Sequence, residues 1–196
     1  MAADKNKDKL TWKQNLLLYL HDISFLLSMI VVLLLLVFRV VVVSGSSMYD
    51  TLIHGDLLLL LSNTIYTEPE QGDIVVISKN SFDNGSAIVK RIIATEGQLV
   101  DIDFSAGIVY VDGEALEEPY TFTPTNTTGG MIFPLKVSDG CVFVMGDNRN
   151  SSRDSRYPEI GHVDEREILG KAIFIILPGA GEYGNEKDYA RIGALS

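Results

Sequence analysis

Residues 87–93 read Ala-Ile-Val-Lys-Arg-Ile-Ile, and the way this short run is read sets the fold class of the chain. Alternate side chains of a strand point to opposite faces, so Ile88, Lys90 and Ile92 share one face and Val89, Arg91 and Ile93 the other. Runs of the same kind, short and rich in β-branched residues, recur at residues 57–61, 74–77, 99–102, 108–111, 142–145 and 172–176. Asp83-Asn84-Gly85 and Asp112-Gly113 punctuate them, and residues 109–116 read as a hairpin. Residues 164–171 allow at most one short helix, and no internal repeat is visible. The expected fold class is mainly β, a barrel or sandwich of antiparallel sheets.

One position in the run is out of keeping with its neighbours. Lys90 or Arg91 must stand among isoleucines and valines, and a cation there loses water. Desolvation disfavours an ammonium and lowers a lysine from about 10.4, by up to ~3–5 units on full burial. A neutral amine can accept the proton of a serine; a guanidinium, effectively always charged, cannot. The other reading of Lys90 is an exposed edge lysine.

Upstream, residues 23–43 read ISFLLSMIVVLLLLVFRVVVV, twenty-one residues with Arg39 as the single charge. At about 1.5 Å per residue such a helix crosses a hydrocarbon core of roughly 30 Å. Arg39 lies about one turn from its end and is placed to snorkel towards the headgroups. Val42 and Ser44 occupy minus-three and minus-one of a cleavable signal, but a signal's apolar region runs ~7–15 residues, so a retained anchor is expected. Lys5, Lys7, Lys9 and Lys13 favour a cytoplasmic N-terminus. The organisation expected is a cytoplasmic 1–22, a transmembrane 23–43, an extracytoplasmic domain over 44–178 and a mobile tail over 179–196. Within the domain, residues 117–130 are polar and turn-rich, and are expected to form an exposed loop without chemistry.

Composition narrows the chemistry. The chain carries 16 Lys and Arg against 26 Asp and Glu, and the excess acid falls after residue 44, which argues against nucleic-acid binding. At 46 % hydrophobic residues the chain is not disordered. One cysteine, Cys141, flanked by apolar residues, rules out a disulfide framework and a cysteine-based zinc site. His21, His54 and His162 are scattered; His54 and His162 read as turn residues, and no metal is expected. Directly after the anchor comes Ser44-Gly45-Ser46-Ser47-Met48-Tyr49-Asp50-Thr51-Leu52, where small residues leave a hydroxyl unobstructed. Met48, Tyr49 and Leu52 distinguish it from a flexible linker.

These residues resemble the bacterial type I signal peptidases, the membrane-anchored Ser/Lys endopeptidases, from the anchor to about Lys171. The stretch at 44–52 resembles the family's S-G-x-S-M-x-P-T, Gly72-Asp73-Ile74-Val75-Val76 its G-D-I/V-V strand, and Lys90-Arg91 its K-R pair. Gly146-Asp147-Asn148-Arg149-Asn150-Ser151-Ser152-Arg153-Asp154-Ser155-Arg156 resembles G-D-N-R-x-x-S-x-D-S-R almost letter for letter. The resemblance implies Ser47, rather than Ser46, as nucleophile and Lys90 as general base. It implies that Ser152 hydrogen-bonds the Lys90 amine, that Asp154 pairs with Arg156, and that Asp147 and Arg149 support the loop. Gly45, Ser46, Met48, Ile88 and Val89 are expected to contact substrate, a signal peptide bound as an added strand and cut after small residues at minus-one and minus-three. The implied enzyme removes signal peptides from exported preproteins at the outer membrane face, as a monomer and without cofactor.

Three positions depart from the pattern. Asp50 stands where proline is usual, residues 92–98 differ from G-x-P-G-D, and Gly45 stands where some members place a serine hydroxyl in the oxyanion hole. Two other classes are weighed beside this reading. A self-cleaving Ser/Lys peptidase of the repressor type would bring a basic DNA-binding module, and none is present. A non-enzymatic β module tethered to the membrane has no use for a lysine among isoleucines.

Overall fold

The computed structural model describes residues 11–181, 184 and 186–195. Two compact units divide the chain, Met1–Val37 and Phe38–Ser196.

The first unit is helix α1, Trp12–Val37, 26 residues with none buried. Its length, about 39 Å, exceeds a hydrocarbon core of about 30 Å, and it is apolar enough to cross a membrane. The helix expected over residues 23–43 ends at Val37, and it takes in residues 12–22, which the sequence leaves open between helix and interface. Phe38–Val42 form strand β1 instead, and Arg39 is opposite Leu60 in a ladder, with Nη1 3.4 Å from the Leu169 carbonyl, rather than at a helix end. An apolar, β-branched run has no period that separates helix from strand, and here a partner strand decides it. Of the lysines that favour a cytoplasmic N-terminus, Lys5, Lys7 and Lys9 lie outside the described residues.

The second unit is antiparallel throughout. Its larger sheet takes the strands β1, β2 (Leu57–Ser62), β3 (Ile74–Ser78) and β4 (Ala87–Ala94). A smaller sheet follows, from β5 (Leu99–Asp103), β6 (Ile108–Val111), β7 (Glu114–Ala115) and β8 (Leu135–Lys136). The chain then returns to the larger sheet through β9 (Cys141–Met145), β10 (Val163–Asp164), β11 (Ile168–Leu177) and β12 (Gly193–Ala194). The larger sheet is ordered β1-β2-β11-β3-β4-β9-β10, with β12 on β11; the smaller is ordered β7-β6-β5-β8. All seven expected strands are present, most of them a residue or two longer than their apolar cores.

Burial follows position in the sheet. β2, near an edge, alternates, burying Leu58, Leu60 and Ser62, whereas Ile74–Ile77 of the central β3 are buried on both faces. Three apolar clusters result: one around Leu58, Leu60, Val76 and Met48, one around Val100, Val109 and Phe143, and one around Val75, Ile92 and Ile160. The β6–β7 hairpin turns at Asp112 and Gly113 with φ of 53° and 85°, the doubly left-handed turn whose twist matches a hairpin. Glu165–Glu167 make one 3-10 turn capped by Asp164, and the strand begins at Ile168.

The C-terminal segment is not the free tail expected. Gly179 donates to Asp56, β12 pairs with β11, and the Leu195 amide donates to the Ile173 carbonyl. A buried carboxylate in need of a cation holds this segment down, and that partner is far away in sequence.

Candidate active site

Ser47 stands in the loop between β1 and β2. The loop is closed at its base, where the Val43 amide donates to Asp56 O at 2.9 Å and the Gly55 amide to Val43 O at 2.9 Å. Inside it Met48 and Leu52 are buried in the first apolar cluster, and the Leu52 amide donates to Met48 O at 2.8 Å. Apolar anchors thus make a rigid turn of a sequence rich in serine and glycine. Gly45 adopts φ of 86°, a left-handed conformation costly for any residue with a Cβ, and its amide donates to His54 Nδ1.

Lys90 reaches this loop from β4. Its Nζ lies 2.7 Å from Ser47 Oγ and donates to the Val89 carbonyl at 3.0 Å, and the residue is 3 % exposed. Burial brings the amine down from 10.5 to about 8; the carboxylates of Asp154 and Asp147 raise it, and the Arg156 guanidinium lowers it. The neighbouring Arg91 goes elsewhere. It grips Asp147 with Nε and Nη2 at 2.9 and 2.8 Å, donates to Gly72 O, and lies 4.0 Å from the centre of the Tyr120 ring. Two adjacent cations have therefore separate tasks: one is desolvated beside a hydroxyl, and the other is neutralised by a buried carboxylate.

Residues 146–156 support the pair from below. Asp154 and Arg156 form a fully buried fork at 2.8 and 2.9 Å, and Asp154 also accepts from the Gly146 amide at 3.0 Å. Asp147 accepts a third bond, from Thr51 Oγ1 at 2.6 Å, which ties the support to the loop that carries Ser47. Asn148 binds that loop directly, donating to the carbonyls of Ser46 and Ser47. The expected bond between Ser152 and the Lys90 amine is not formed. Ser152 Oγ is buried with no partner among the described residues, while Lys90 Nζ is engaged by Ser47 and Val89.

Of the residues expected to contact substrate, Met48 points into the core at 1 % exposure, while Gly45, Ser46, Ile88 and Val89 are half-buried. β3 pairs with Ala87–Arg91 on one side, and β9 pairs with β4 only from Arg91 onward on the other, so among the described residues no strand pairs with the second edge of residues 87–90. His54 and His162 bond to Gly45 and to Ser138, not to Ser47.

The segment 117–130 is far from idle. Glu118 grips the buried Arg149 through both carboxylate oxygens, Thr125 Oγ1 accepts from the same guanidinium, and Thr127 O accepts from Arg156. Asn150 accepts from Asn126 and Thr127 and donates to Thr123 and Pro124. The segment binds the loop that lies beneath Ser47 and Lys90. The signal available for it in the sequence was weak, a glutamate and a tyrosine in a polar run whose partners lie about 30 residues away.

A family model described as signal peptidase, peptidase S26, matches residues 16–177. A probable signal peptidase I-1 of Synechocystis is 36 % identical over 82 % of this chain and 83 % of its own. Signal peptidase I of Bacillus amyloliquefaciens is 36 % identical over 72 % of this chain and 75 % of its own. Signal peptidase I T of Bacillus subtilis is 35 % identical over the same shares. Among solved structures, a signal peptidase I from Enterococcus faecalis aligns at 29 % identity, with a TM-score of 0.43, over 54 % of this chain and 97 % of that one. With the family model covering most of its length and relatives of this similarity, the chain belongs to the signal peptidase family, peptidase S26.

Proposed function

We propose that this chain removes N-terminal signal peptides from exported preproteins, with Ser47 as nucleophile and Lys90 as general base. The observation that carries the reading is the 2.7 Å separation of Ser47 Oγ from an amine that burial holds near 8. In its neutral form that amine takes the Ser47 proton as Oγ attacks the carbonyl after the minus-one residue. The ammonium then protonates the departing amine of the mature chain, leaving an acyl-enzyme. Neutral again, Lys90 takes a proton from water as the water oxygen attacks the ester, and returns it to Ser47 Oγ as the acyl group leaves. The Ser47 amide is the first donor to the developing oxyanion, a contribution of roughly 3–4 kcal/mol.

The substrate is read as an extended strand on the unpaired edge of residues 87–90, with main-chain bonds for affinity and small residues at minus-one and minus-three for fit. Helix α1 anchors the enzyme, and the lysines near its start place the N-terminus in the cytoplasm and the catalytic unit outside. A helix in the bilayer suits a substrate whose own apolar region is also there.

The test is processing of a preprotein by the detergent-solubilised chain, with the cut mapped by mass. Ser47→Ala and Lys90→Met should each abolish the cut and Ser46→Ala should not. A cut retained in Ser47→Ala, or in Lys90→Met, would end the reading. Covalent labelling of Ser47 by a serine-reactive β-lactam or lipopeptide is the second readout.

A further inference from the structure

Asp56 closes the loop that carries Ser47 and is fully buried. Its Oδ2 accepts from the Ile53 amide at 2.8 Å and its Oδ1 from the Gly179 amide at 2.7 Å. Its charge is matched by Arg191, whose Nη1 and Nη2 lie 2.8 Å from Oδ1 and 2.8 Å from Oδ2. Nη2 also donates to the Thr51 carbonyl at 3.0 Å. One guanidinium from the C-terminal segment therefore binds both a side chain and the backbone of the nucleophile loop.

Contacts lead from that grip to both members of the dyad. Thr51 Oγ1 donates to Asp147, which forks with Arg91, the residue after Lys90 in β4. On the other side, the bond from the Leu52 amide to Met48 O makes residues 48–52 one closed turn, so a shift at Thr51 reaches the residue after Ser47. The segment itself is anchored at two further places. Asp188 caps the turn Tyr189–Arg191, and β12 pairs with Phe174 and Ile175 of β11, with Leu195 against the cluster that holds Met48.

We propose that Arg191 is a positioning residue for the reaction. Carried by the C-terminal segment, its guanidinium fixes the turn from Thr51 to Asp56 and so the alignment of Ser47 with Lys90. A buried carboxylate that loses its cation must take in water, protonate or move, and each of these loosens the loop. A displacement of about 1 Å in a reacting pair is enough to cost on the order of a hundredfold in rate. The proposal rests on Ser47 and Lys90 as the dyad.

The test uses the full chain in detergent. Active sites are counted by covalent titration with a serine-reactive lipopeptide, and kcat for a preprotein is expressed per titrated site. Arg191→Ala should lower kcat per site by roughly tenfold to a hundredfold with KM within about twofold, and Arg191→Lys, which keeps the charge without the fork, should fall between. Wild-type kcat per site with fewer titratable molecules would mean that Arg191 only stabilises the fold, and the proposal would be overturned. Arg191→Gln replaces the alanine variant, with the same two outcomes, if the latter yields no titratable enzyme. Failure of the dyad itself would show separately, as absence of Ser47 labelling in the unsubstituted chain.

Discussion

Gly146 and Ser152 are so closely apposed that a Cβ added to Gly146 would lie 2.3 Å from Ser152 Oγ, and 2.4 Å from the Ser47 carbonyl oxygen. The second of these is backbone, and it already accepts from the Asn148 amide. Glycine at 146 is thus what allows the supporting loop to pass directly beneath Ser47. Gly146→Ala must push one of the two loops away, an overpacking of about 1–3 kcal/mol. The expected outcome is a kcat lower by roughly a hundredfold with the ionisable groups unchanged. Preprotein turnover measured beside the thermal midpoint checks it, and near-normal turnover would show that the loops have room to separate.

The acid side of the rate profile follows from the burial of Lys90. Only the neutral amine can take the Ser47 proton, and the amine titrates near 8. The value of kcat/KM for preprotein should rise through that pH and fall by about tenfold for each unit below it. A profile flat from pH 8 down to 6 would mean that the base is not this amine.

The same burial has a cost to folding, and its sign is opposite to that of a salt-bridged group. The folded amine, at about 8, binds its proton less tightly than the unfolded one at 10.5. Protonation therefore opposes folding by about 3 kcal/mol below pH 8, at ~1.36 kcal/mol per unit, and this penalty fades as the pH rises to 10.5. Lys90→Met, with no charge to bury, is expected to be inactive yet 1–3 kcal/mol more stable at pH 7, at about the scale of that penalty. Urea unfolding at pH 7 and at pH 10.5 should show the advantage shrinking at the higher pH. A variant less stable at pH 7 would mean that the bonds from Lys90 to Ser47 and Val89 outweigh its desolvation.

What could be read in the sequence was what local pattern encodes. Short apolar runs bounded by turn residues marked β2 to β6, β9 and β11, because such a run and its flanking turns are properties of one segment alone. β1 was lost in the anchor, since an apolar β-branched stretch beside an apolar helix shows no change of period where Val37 gives way to Phe38. That Ser47 and Lys90 lie together was legible through motif, and the burial of Lys90 also through its incongruous setting. The partners of buried charges were not legible. Glu118 and Arg149, or Asp56 and Arg191, are 31 and 135 residues apart, and nothing in a polar loop or a charged tail says which of its charges will be buried.

The pair Glu118–Arg149 provides the measure of how far segment 117–130 holds the site. Arg149 is fully buried, its Nη1 2.7 Å from Glu118 Oε2 and 2.9 Å from Thr125 Oγ1, and its Nε 3.1 Å from Gly146 O. A guanidinium stays protonated whatever surrounds it, so neutralising its carboxylate strands a charge in the interior. Glu118→Gln is therefore expected to cost about 3–5 kcal/mol. Thr125→Val removes a single neutral acceptor and should cost about 1–3 kcal/mol. Urea denaturation of the two variants gives the order directly. Because Gly146 and Asp147 lie at the other end of the same network, preprotein processing should decline in that order too. A Glu118→Gln protein as stable and as active as the parent would return the segment to the role of a surface loop.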